Sequence, residues 1–560
     1  MKKTIAIGQQ DFLTLRENHL LYIDKTDFIK EWWENWDSVT LITRPRRFGK
    51  TLCMSMVEEF FSIRYADRAD LFEGLKIWEY DDFKKLQGSY PVISLSFSNV
   101  KESTYLSTRR KICQIIANLY TQYDFIKDSP VLSEQDRSFW NKISPDMEDM
   151  EATMALHQLS LYLNRYYQKK VIILLDEYDT PRQEAYIHGF WEDLSMFTRS
   201  MFNAAFKTNP ALERAIMTGV TRVSKESIFS DLNNLVVITT TSPMYETSFG
   251  FTEDEVQHIL KEYGQEEKME GIKEWYDGFT FGNTSDIYNP WSILNYLKTG
   301  KFDTYWANTS NNLLIGKLLR EGSRRLKTDF ETLIQGGTLK TQIDEQIVYN
   351  QLDTSEKAIW SLLLASGYLR ICQVTSGKTP FGNWQEIYEL ALTNYEVKIM
   401  FENMIREWFS TADADYNDFI NSLLSGNVDG MNFYLNQIAM ATFSFFDTAS
   451  QPERFYHGFI LGLIVDLSER YRITSNRESG LGRYDVVMEP FNPSDPAFIL
   501  EFKVRRPDRE KSLEETVKNA LEQIEDKHYE TELVAKGILK SHIKKYGLAF
   551  EGKRVLIGQA

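Results

Sequence analysis

Leu41-Ile42-Thr43-Arg44-Pro45-Arg46-Arg47-Phe48-Gly49-Lys50-Thr51 decides the reading of this chain. An apolar run enters a loop that ends Gly-Lys-Thr, and a helix-forming segment follows. That order suits a cradle for nucleotide phosphates. Gly49 lets the backbone come close to an anion, and the loop residues Arg46, Arg47 and Phe48 surround it with main-chain amides. Lys50 brings a cation to the β- and γ-phosphates, and the Thr51 hydroxyl can ligate Mg²⁺. The helix that starts there adds the positive end of its dipole. The stretch departs once from the general pattern G-x-x-x-x-G-K-[ST]: Arg44 stands where the first glycine belongs.

A second stretch, Val171-Ile172-Ile173-Leu174-Leu175-Asp176-Glu177, is continuously apolar and ends in two carboxylates. A run apolar on both faces suits a central strand of a parallel sheet covered by helices. At its end Asp176 is placed to hold Mg²⁺ and its waters, and Glu177 to polarise an attacking water. Each stretch alone has an ordinary reading, a strand-to-helix turn or a solvated acid pair. Together, in this order and with room for βα units between them, they point to nucleotide binding and to ATP hydrolysis.

Outward from these strands, predicted elements alternate. An amphipathic helix covers about 28–36, residues 91–97 alternate like a strand, and 104–125, 150–168 and 190–207 read as helices. Residues 215–220 form another short strand. The alternation predicts an α/β fold, a P-loop NTPase with an open parallel sheet wound on both faces, over residues 1–245. Thr218 and Arg222 sit at and just past the end of the last strand, where a γ-phosphate can be sensed, although a surface turn accounts for them equally well. Beyond 250 the character changes. Thr252 is a good N-cap followed by acids, and Tyr276-Asp277-Gly278-Phe279 and Tyr288-Asn289-Pro290-Trp291 punctuate short helices. Residues 246–305 therefore read as a helical lid, 306–445 as a helical connector, and 446–560 as a small α/β domain.

Composition narrows the function classes. With 560 residues the chain has room for about three or four domain-sized units. A net charge of −16 excludes a constitutive nucleic-acid coat. Residues 501–560, however, hold 13 Lys/Arg against 11 Asp/Glu, so any nucleic-acid contact is expected to be local and transient. The three cysteines, Cys53, Cys113 and Cys372, are too far apart for a zinc spacing or a disulfide framework, which fits a reducing cytoplasm. The apolar start of the chain is cut short by Gln9, Gln10 and Asp11, too early for a signal peptide. No run approaches the ~18 apolar residues of a membrane span.

The last 120 or so residues carry a second chemistry. An apolar helix is expected over 454–463, and strands over 472–475 and 483–488. A turn, Asn492-Pro493-Ser494-Asp495-Pro496, leads into the strand Ala497-Phe498-Ile499-Leu500-Glu501-Phe502-Lys503-Val504. Period-two alternation puts Glu501 and Lys503 on one face and Phe502 on the other. Asp485, on the neighbouring hairpin strand, can reach the same face. Two carboxylates on adjacent strands offer an oxygen site for Mg²⁺ or Mn²⁺, and a lysine beside them can stabilise charge on a phosphoryl group. The ordinary alternative is a cross-strand salt bridge between Lys503 and Asp485. A later helix brings Gln523 and then Tyr529 toward these strands, and Arg505, Arg506 and Arg509 are positioned to touch a phosphate backbone.

The chain resembles the AAA-ATPase-like proteins that carry a C-terminal PD-(D/E)XK nuclease domain. The likeness rests on Tyr22-Ile23-Asp24-Lys25-Thr26, the loop from Arg44 to Thr51, Leu175-Asp176-Glu177-Tyr178-Asp179 and Ser227-Ile228-Phe229-Ser230-Asp231-Leu232-Asn233-Asn234. At the other end it rests on Asn476-Arg477-Glu478-Ser479-Gly480-Leu481-Gly482-Arg483-Tyr484-Asp485, Glu501-Phe502-Lys503 and Gln523. In that family an arginine at the place of Arg44 is usual. The resemblance implies a restriction-endonuclease-like fold for the last domain. It implies Lys50, Thr51, Asp176 and Glu177 as the nucleotide site, and Asp485, Glu501, Lys503 and Gln523 as the nuclease set. Many members add an acid from the first helix of the nuclease domain; here Glu453, His457 and Glu478 are the alternatives. The resulting expectation is an ATP-hydrolysing module coupled to a Mg²⁺-dependent DNA or RNA phosphodiesterase, compatible with a homo-oligomer. The alternative is a nucleotide-switched regulator or scaffold whose nuclease-like domain only binds a partner.

Overall fold

The computed structural model describes residues 2–221, 232–309, 313–321, 323–344, 351–352, 355–378, 383–409 and 413–442. It continues with 460, 464, 467, 470–475, 478–479, 482–483, 485–492, 495–507 and 509–560. The chain divides into two compact units, Met1–Gly322 with Thr332–Met400, and Ser323–Glu331 with Phe401–Ala560. Among the described residues no helix is long and apolar enough to cross a membrane.

The first unit is built on five parallel strands, β1 (Val39–Thr43), β2 (Val92–Ser96), β3 (Val171–Asp176), β4 (Leu212–Gly219) and β5 (Leu235–Ile238), in the order β2-β3-β4-β1-β5. Every residue of β1 and β3 is buried, which is why both read as apolar on two faces. Helices Lys50–Phe61, Tyr105–Thr121, Asp149–Tyr167 and Trp191–Phe202 link the strands. β4 lies between β1 and β3, with Thr43 opposite Gly219 and Leu175 opposite Met217. The C-terminal ends of β1, β3 and β4 therefore share one edge, the place where an open α/β sheet binds its ligand.

Residues 246–305 are helical around a small antiparallel sheet. β6 (Phe251–Thr252), β7 (Phe279–Phe281) and β8 (Thr284–Tyr288) stand in the order β6-β8-β7 beside helices Glu253–Tyr263, Met269–Tyr276 and Pro290–Thr299. Thr252 and Glu255 cap the first of these helices reciprocally. Val256, Ile259, Ile272, Tyr276 and Tyr296 form a core of their own.

The 306–445 stretch contains the expected helices and also a sheet that helical periodicity does not reveal. β9 (Leu339–Thr341), β10 (Leu369–Lys378) and β11 (Trp384–Leu392) pair antiparallel in the order β10-β11-β9. Most of β10 is exposed, so its sequence lacks the apolar alternation that marks a half-buried strand. Residues after Met400 belong to the second unit.

The second unit holds β12 (Tyr471–Ser475), β13 (Glu478–Ser479), β14 (Gly482–Arg483), β15 (Val486–Pro490), β16 (Ala497–Val504), β17 (Ile543–Glu551) and β18 (Arg554–Gln559). Five of them form a mixed sheet, β12-β15-β16-β17-β18, in which only β16 and β17 are parallel. Helix Leu513–Asp526 makes the crossover between that pair. Phe498, Leu500 and Phe502 share one core with Leu435 and Ile438 of helix Val428–Thr442, while Ala497 and Ile499 share another with Ile524 and Tyr529. Asn432 and Asn436, one turn apart on helix Val428–Thr442, each give and receive a hydrogen bond with the main chain of β18, at Ile557 and Val555 respectively. The helix expected over 454–463 lies outside the described residues except at Ile460.

Candidate functional site

The phosphate loop leaves β1 at Thr43 and enters its helix through Gly49, whose φ of 85° favours glycine. Space above Gly49 is open: a Cβ there would meet nothing within 4 Å. Lys50 is 4% exposed, and its ammonium donates to the carbonyls of Arg44 and Pro45, each at 3.0 Å. Its Nζ is 3.8 Å from Glu177 Oε1. Thr51 Oγ1 donates to Asp176 Oδ2 at 2.8 Å. The structure thus brings Lys50, Thr51, Asp176 and Glu177 together. Burial and the neighbouring Glu177 raise the Asp176 carboxyl above its usual range, while the bonds from Thr218 and Thr51 and the charge of Lys50 pull the other way. Glu177 adopts a φ of 53°, uncommon for a side-chain-bearing residue, and its Oε2 accepts from Thr180 Oγ1 at 3.1 Å.

Thr218 takes a different place from the one expected. It is 1% exposed, and its hydroxyl donates to Asp176 Oδ1, so it braces the acid that Thr51 bonds through the other oxygen. The register that sets Leu175 opposite Met217 places Thr218 beside Asp176 on the same face of the sheet. Arg222 lies outside the described residues.

The remaining loop side chains anchor the loop. Arg46 Nη2 donates to Gln183 Oε1 at 2.9 Å, and the Arg46 carbonyl accepts from Trp306 Nε1 at 2.9 Å. The Arg47 guanidinium lies 4.3 Å from the centre of the Trp291 ring. Phe48 is buried edge-on against Phe279 and Phe281. Arg44 is fully buried. It donates to the carbonyls of Thr43 at 3.0 Å, Thr239 at 2.6 Å, Met244 at 3.3 Å and Tyr245 at 3.4 Å, and lies 4.6 Å from the centre of the Phe281 ring. Burial lowers its guanidinium pKa to about 9. The first loop position is thus a clamp between β1 and the chain beyond β5, a role a glycine cannot fill.

A cavity of about 460 Å³ is lined by Gly49, Lys50 and Thr51 together with Glu177, Gln9, Ile23 and Trp291. That volume is in the range of small-molecule sites. A lysine, a hydroxyl and two carboxylates beneath an open glycine fit a triphosphate with a divalent cation. Lys25, from the stretch Tyr22–Thr26 and not among the expected site residues, also borders the cavity; its ammonium bonds both Glu255 oxygens and the Thr247 carbonyl, all at 2.7 Å.

In the second unit, Glu501 and Lys503 share the face of β16 that helix Leu513–Asp526 covers. Lys503 Nζ donates to Gln523 Oε1 at 2.6 Å, and Gln523 Nε2 donates to Glu501 Oε1 and, at 3.0 Å, to the Tyr529 hydroxyl. Glu501 is 3% exposed. The pairing of Val486 with Leu500 sets Asp485 beside Glu501, and Asp485 Oδ2 accepts from Phe502 N at 2.8 Å. Lys503 therefore engages Gln523, not Asp485 as the ordinary salt-bridge reading required. Among the described residues no group of three or more His, Cys, Asp and Glu side chains converges. Two carboxylates still fit Mg²⁺, which usually keeps several waters and takes substrate phosphate oxygens. Glu453 and His457 lie outside the described residues, and Glu478 is described only as backbone in β13. Arg505 is held by Glu551 and by the carbonyls of Glu510 and Lys511, whereas Arg506 and Arg509 are exposed.

Comparison with known proteins agrees with this geometry. Residues 6–229 match a family model described as a predicted AAA-ATPase, and residues 451–560 match the PD-(D/E)XK nuclease superfamily. A protein of Azotobacter chroococcum mcd 1, described as an uncharacterized protein in the vnfD 5′ region, is 26% identical over 402 residues, covering 71% of this chain and 69% of its own length. The chain carries an N-terminal AAA-ATPase-like domain and a C-terminal domain of the PD-(D/E)XK nuclease superfamily.

Proposed function

We propose that the first unit binds and hydrolyses ATP, and that nucleotide occupancy regulates Mg²⁺-dependent cleavage of DNA or RNA by the second. The observation that carries the proposal is the presence of two separate sets of side chains suited to phosphate chemistry. Lys50, Thr51, Asp176 and Glu177 make one; Asp485, Glu501, Lys503 and Gln523 make the other.

At the first site Lys50 neutralises charge on the β- and γ-phosphates. Thr51 and Asp176 hold the cation, and Glu177 accepts a proton from the attacking water. Thr218 fixes the orientation of Asp176. At the second site Asp485 and Glu501 hold Mg²⁺ or Mn²⁺, which would polarise the scissile phosphate when bound. Lys503 stabilises the charge that develops there, and Gln523 fixes Lys503 relative to Glu501. Arg506 and Arg509 are the exposed cations for a local, transient backbone contact. Regulation by nucleotide requires contacts that differ between ATP and ADP, and Lys50 and Glu177 supply groups able to make them.

Two measurements test the reading. ATP affinity should fall at least about tenfold in Lys50→Ala, with the loss of a charge-assisted contact; equal affinity removes the first site. Linear, circular and single-stranded DNA, and RNA, incubated with Mg²⁺ or Mn²⁺, should be cut by the wild type and not by Lys503→Ala. An ATP-hydrolysing chain that cuts none of them supports a nucleotide-switched regulator with an inactive nuclease-like domain.

A further inference from the structure

The turn that presents Glu177 contains another carboxylate, Asp179, which the hydrolysis scheme leaves without a task. Asp179 occupies the N-cap of helix Thr180–His188. An aspartate there ordinarily accepts from the second or third amide of its own helix. Asp179 makes no such bond. Its Oδ2 instead accepts from Val220 N at 2.9 Å, Thr221 N at 2.8 Å and Thr221 Oγ1 at 3.0 Å, the first residues beyond β4. Next to it, the Tyr178 hydroxyl donates to the Thr221 carbonyl at 2.7 Å, and Tyr178 N donates to the Thr218 carbonyl at 2.9 Å.

This carboxylate is 4% exposed. Its Oδ1 lies against Gly219, where an added Cβ would come within 2.6 Å of it. Gly219 sits opposite Thr43, and its carbonyl accepts from Arg44 N at 3.2 Å. One side chain therefore joins the Glu177 turn to the end of β4, which in turn holds the start of the phosphate loop. A buried carboxylate is costly unless it is well bonded, and a local cap would have served the helix alone. The left-handed conformation of Glu177 also persists only where the surrounding structure holds it. Thr180 grips the Glu177 side chain, and Asp179 grips the backbone that follows.

We propose that Asp179 is a positioning residue that couples Glu177 to the chain leaving β4, so that a change of nucleotide at Glu177 is passed to Gly219–Thr221. The inference rests on the ATP-hydrolysis reading of the same site. Hydrolysis should depend on it more than binding does, because its hydrogen-bond partners are Val220 and Thr221 and not the phosphate-binding Lys50 and Thr51.

The test uses the full chain as wild type, Asp179→Ala and Asp179→Asn. Affinity for a fluorescent ATP analogue, kcat and KM for ATP, and amide hydrogen exchange at residues 218–221 with and without nucleotide are measured. Asp179→Ala should bind within about twofold of wild type but lose at least about tenfold in kcat, as misplacement of a catalytic group by about 1 Å can cost more than that. The nucleotide-induced change in exchange at Val220 and Thr221 should be present in wild type and absent in Asp179→Ala. Asp179→Asn keeps an acceptor oxygen and should recover part of both; it also decides the matter if Asp179→Ala fails to fold. Wild-type kcat in the alanine variant, an unaltered exchange response, or a parallel loss of affinity and kcat would each overturn the proposal. A wild type that binds but does not hydrolyse ATP sinks the hydrolysis reading instead, and the exchange measurement then still decides whether Asp179 transmits nucleotide occupancy.

Discussion

Replacing Arg44 by glycine would restore the general phosphate-loop pattern, and the structure predicts that it will damage the protein. The guanidinium donates to four carbonyls, and the two short buried bonds, to Thr43 at 3.0 Å and Thr239 at 2.6 Å, should dominate. Bonds from a charged donor contribute about 1.5–3 kcal/mol each, so the pair amounts to about 3–6 kcal/mol. Stacking on Phe281 adds about 1 kcal/mol. Relief of the buried charge returns part of this, and a net loss of about 3 kcal/mol is expected for Arg44→Gly. For a large domain that corresponds to about 5–10 °C in the midpoint of thermal unfolding. Calorimetry of the full chain should show the shift in the transition that ATP raises, leaving any other transition in place. Arg44→Met separates bonding from filling: it keeps much of the volume but leaves the carbonyls without donors, so it should lose nearly as much. A midpoint within about 1 °C of wild type in both variants would show that Arg44 merely occupies space, and the clamp argument would fail.

Other consequences follow from the same geometry. Gly219→Ala would set a Cβ within 2.6 Å of Asp179 Oδ1 and 2.7 Å of the Tyr178 ring; a loss of about 1–3 kcal/mol in stability, together with reduced ATPase kcat, is expected by calorimetry and steady-state kinetics. Glu396 is 1% exposed and accepts from Ser292 Oγ at 2.8 Å and Trp306 N at 2.5 Å, and burial raises its carboxyl from 4.5 to about 7. Because the folded value lies above the unfolded one, its stabilising contribution is full below pH about 4.5, declines as pH rises to about 7 and is gone above that. The thermal midpoint of the first unit should carry this slope and Glu396→Gln should flatten it; an unchanged slope in that variant would reject the assignment. Asn432→Ala and Asn436→Ala each remove a paired bond to β18 and should each cost about 1–2 kcal/mol in urea unfolding of the second unit.

What was legible in the sequence depended on distance along the chain. Gly49, Lys50 and Thr51 form one local pattern, and Asp176-Glu177 ends an unbroken apolar run, so both announce themselves without partners. Glu501 and Lys503 are two apart on a strand, and alternation alone sets them on one face. Arg44 was visible only as an exception, since Thr239, Met244 and Tyr245, the carbonyls that explain it, lie about 200 residues away. Thr218 is legible as a polar residue at a strand end, yet only the register of β4 against β3 sets its hydroxyl on Asp176. The β10–β11 hairpin escaped because it is exposed and so carries no burial pattern. Arg505 reads as a phosphate-backbone contact, but Glu551, at the end of the neighbouring strand β17 and 46 residues on, engages it.

The paired amides of Asn432 and Asn436 have one more implication. A β-sheet offers two borders at which a foreign segment can add itself, and repeated addition at both yields a fibre. At β18 the outward groups of Val555 and Ile557 are already bonded to these two side chains, which mimic a neighbouring chain without extending the ladder. Growth of this sheet by stacking of copies is thus opposed in the middle of β18, where two of the positions a guest strand would use are already taken.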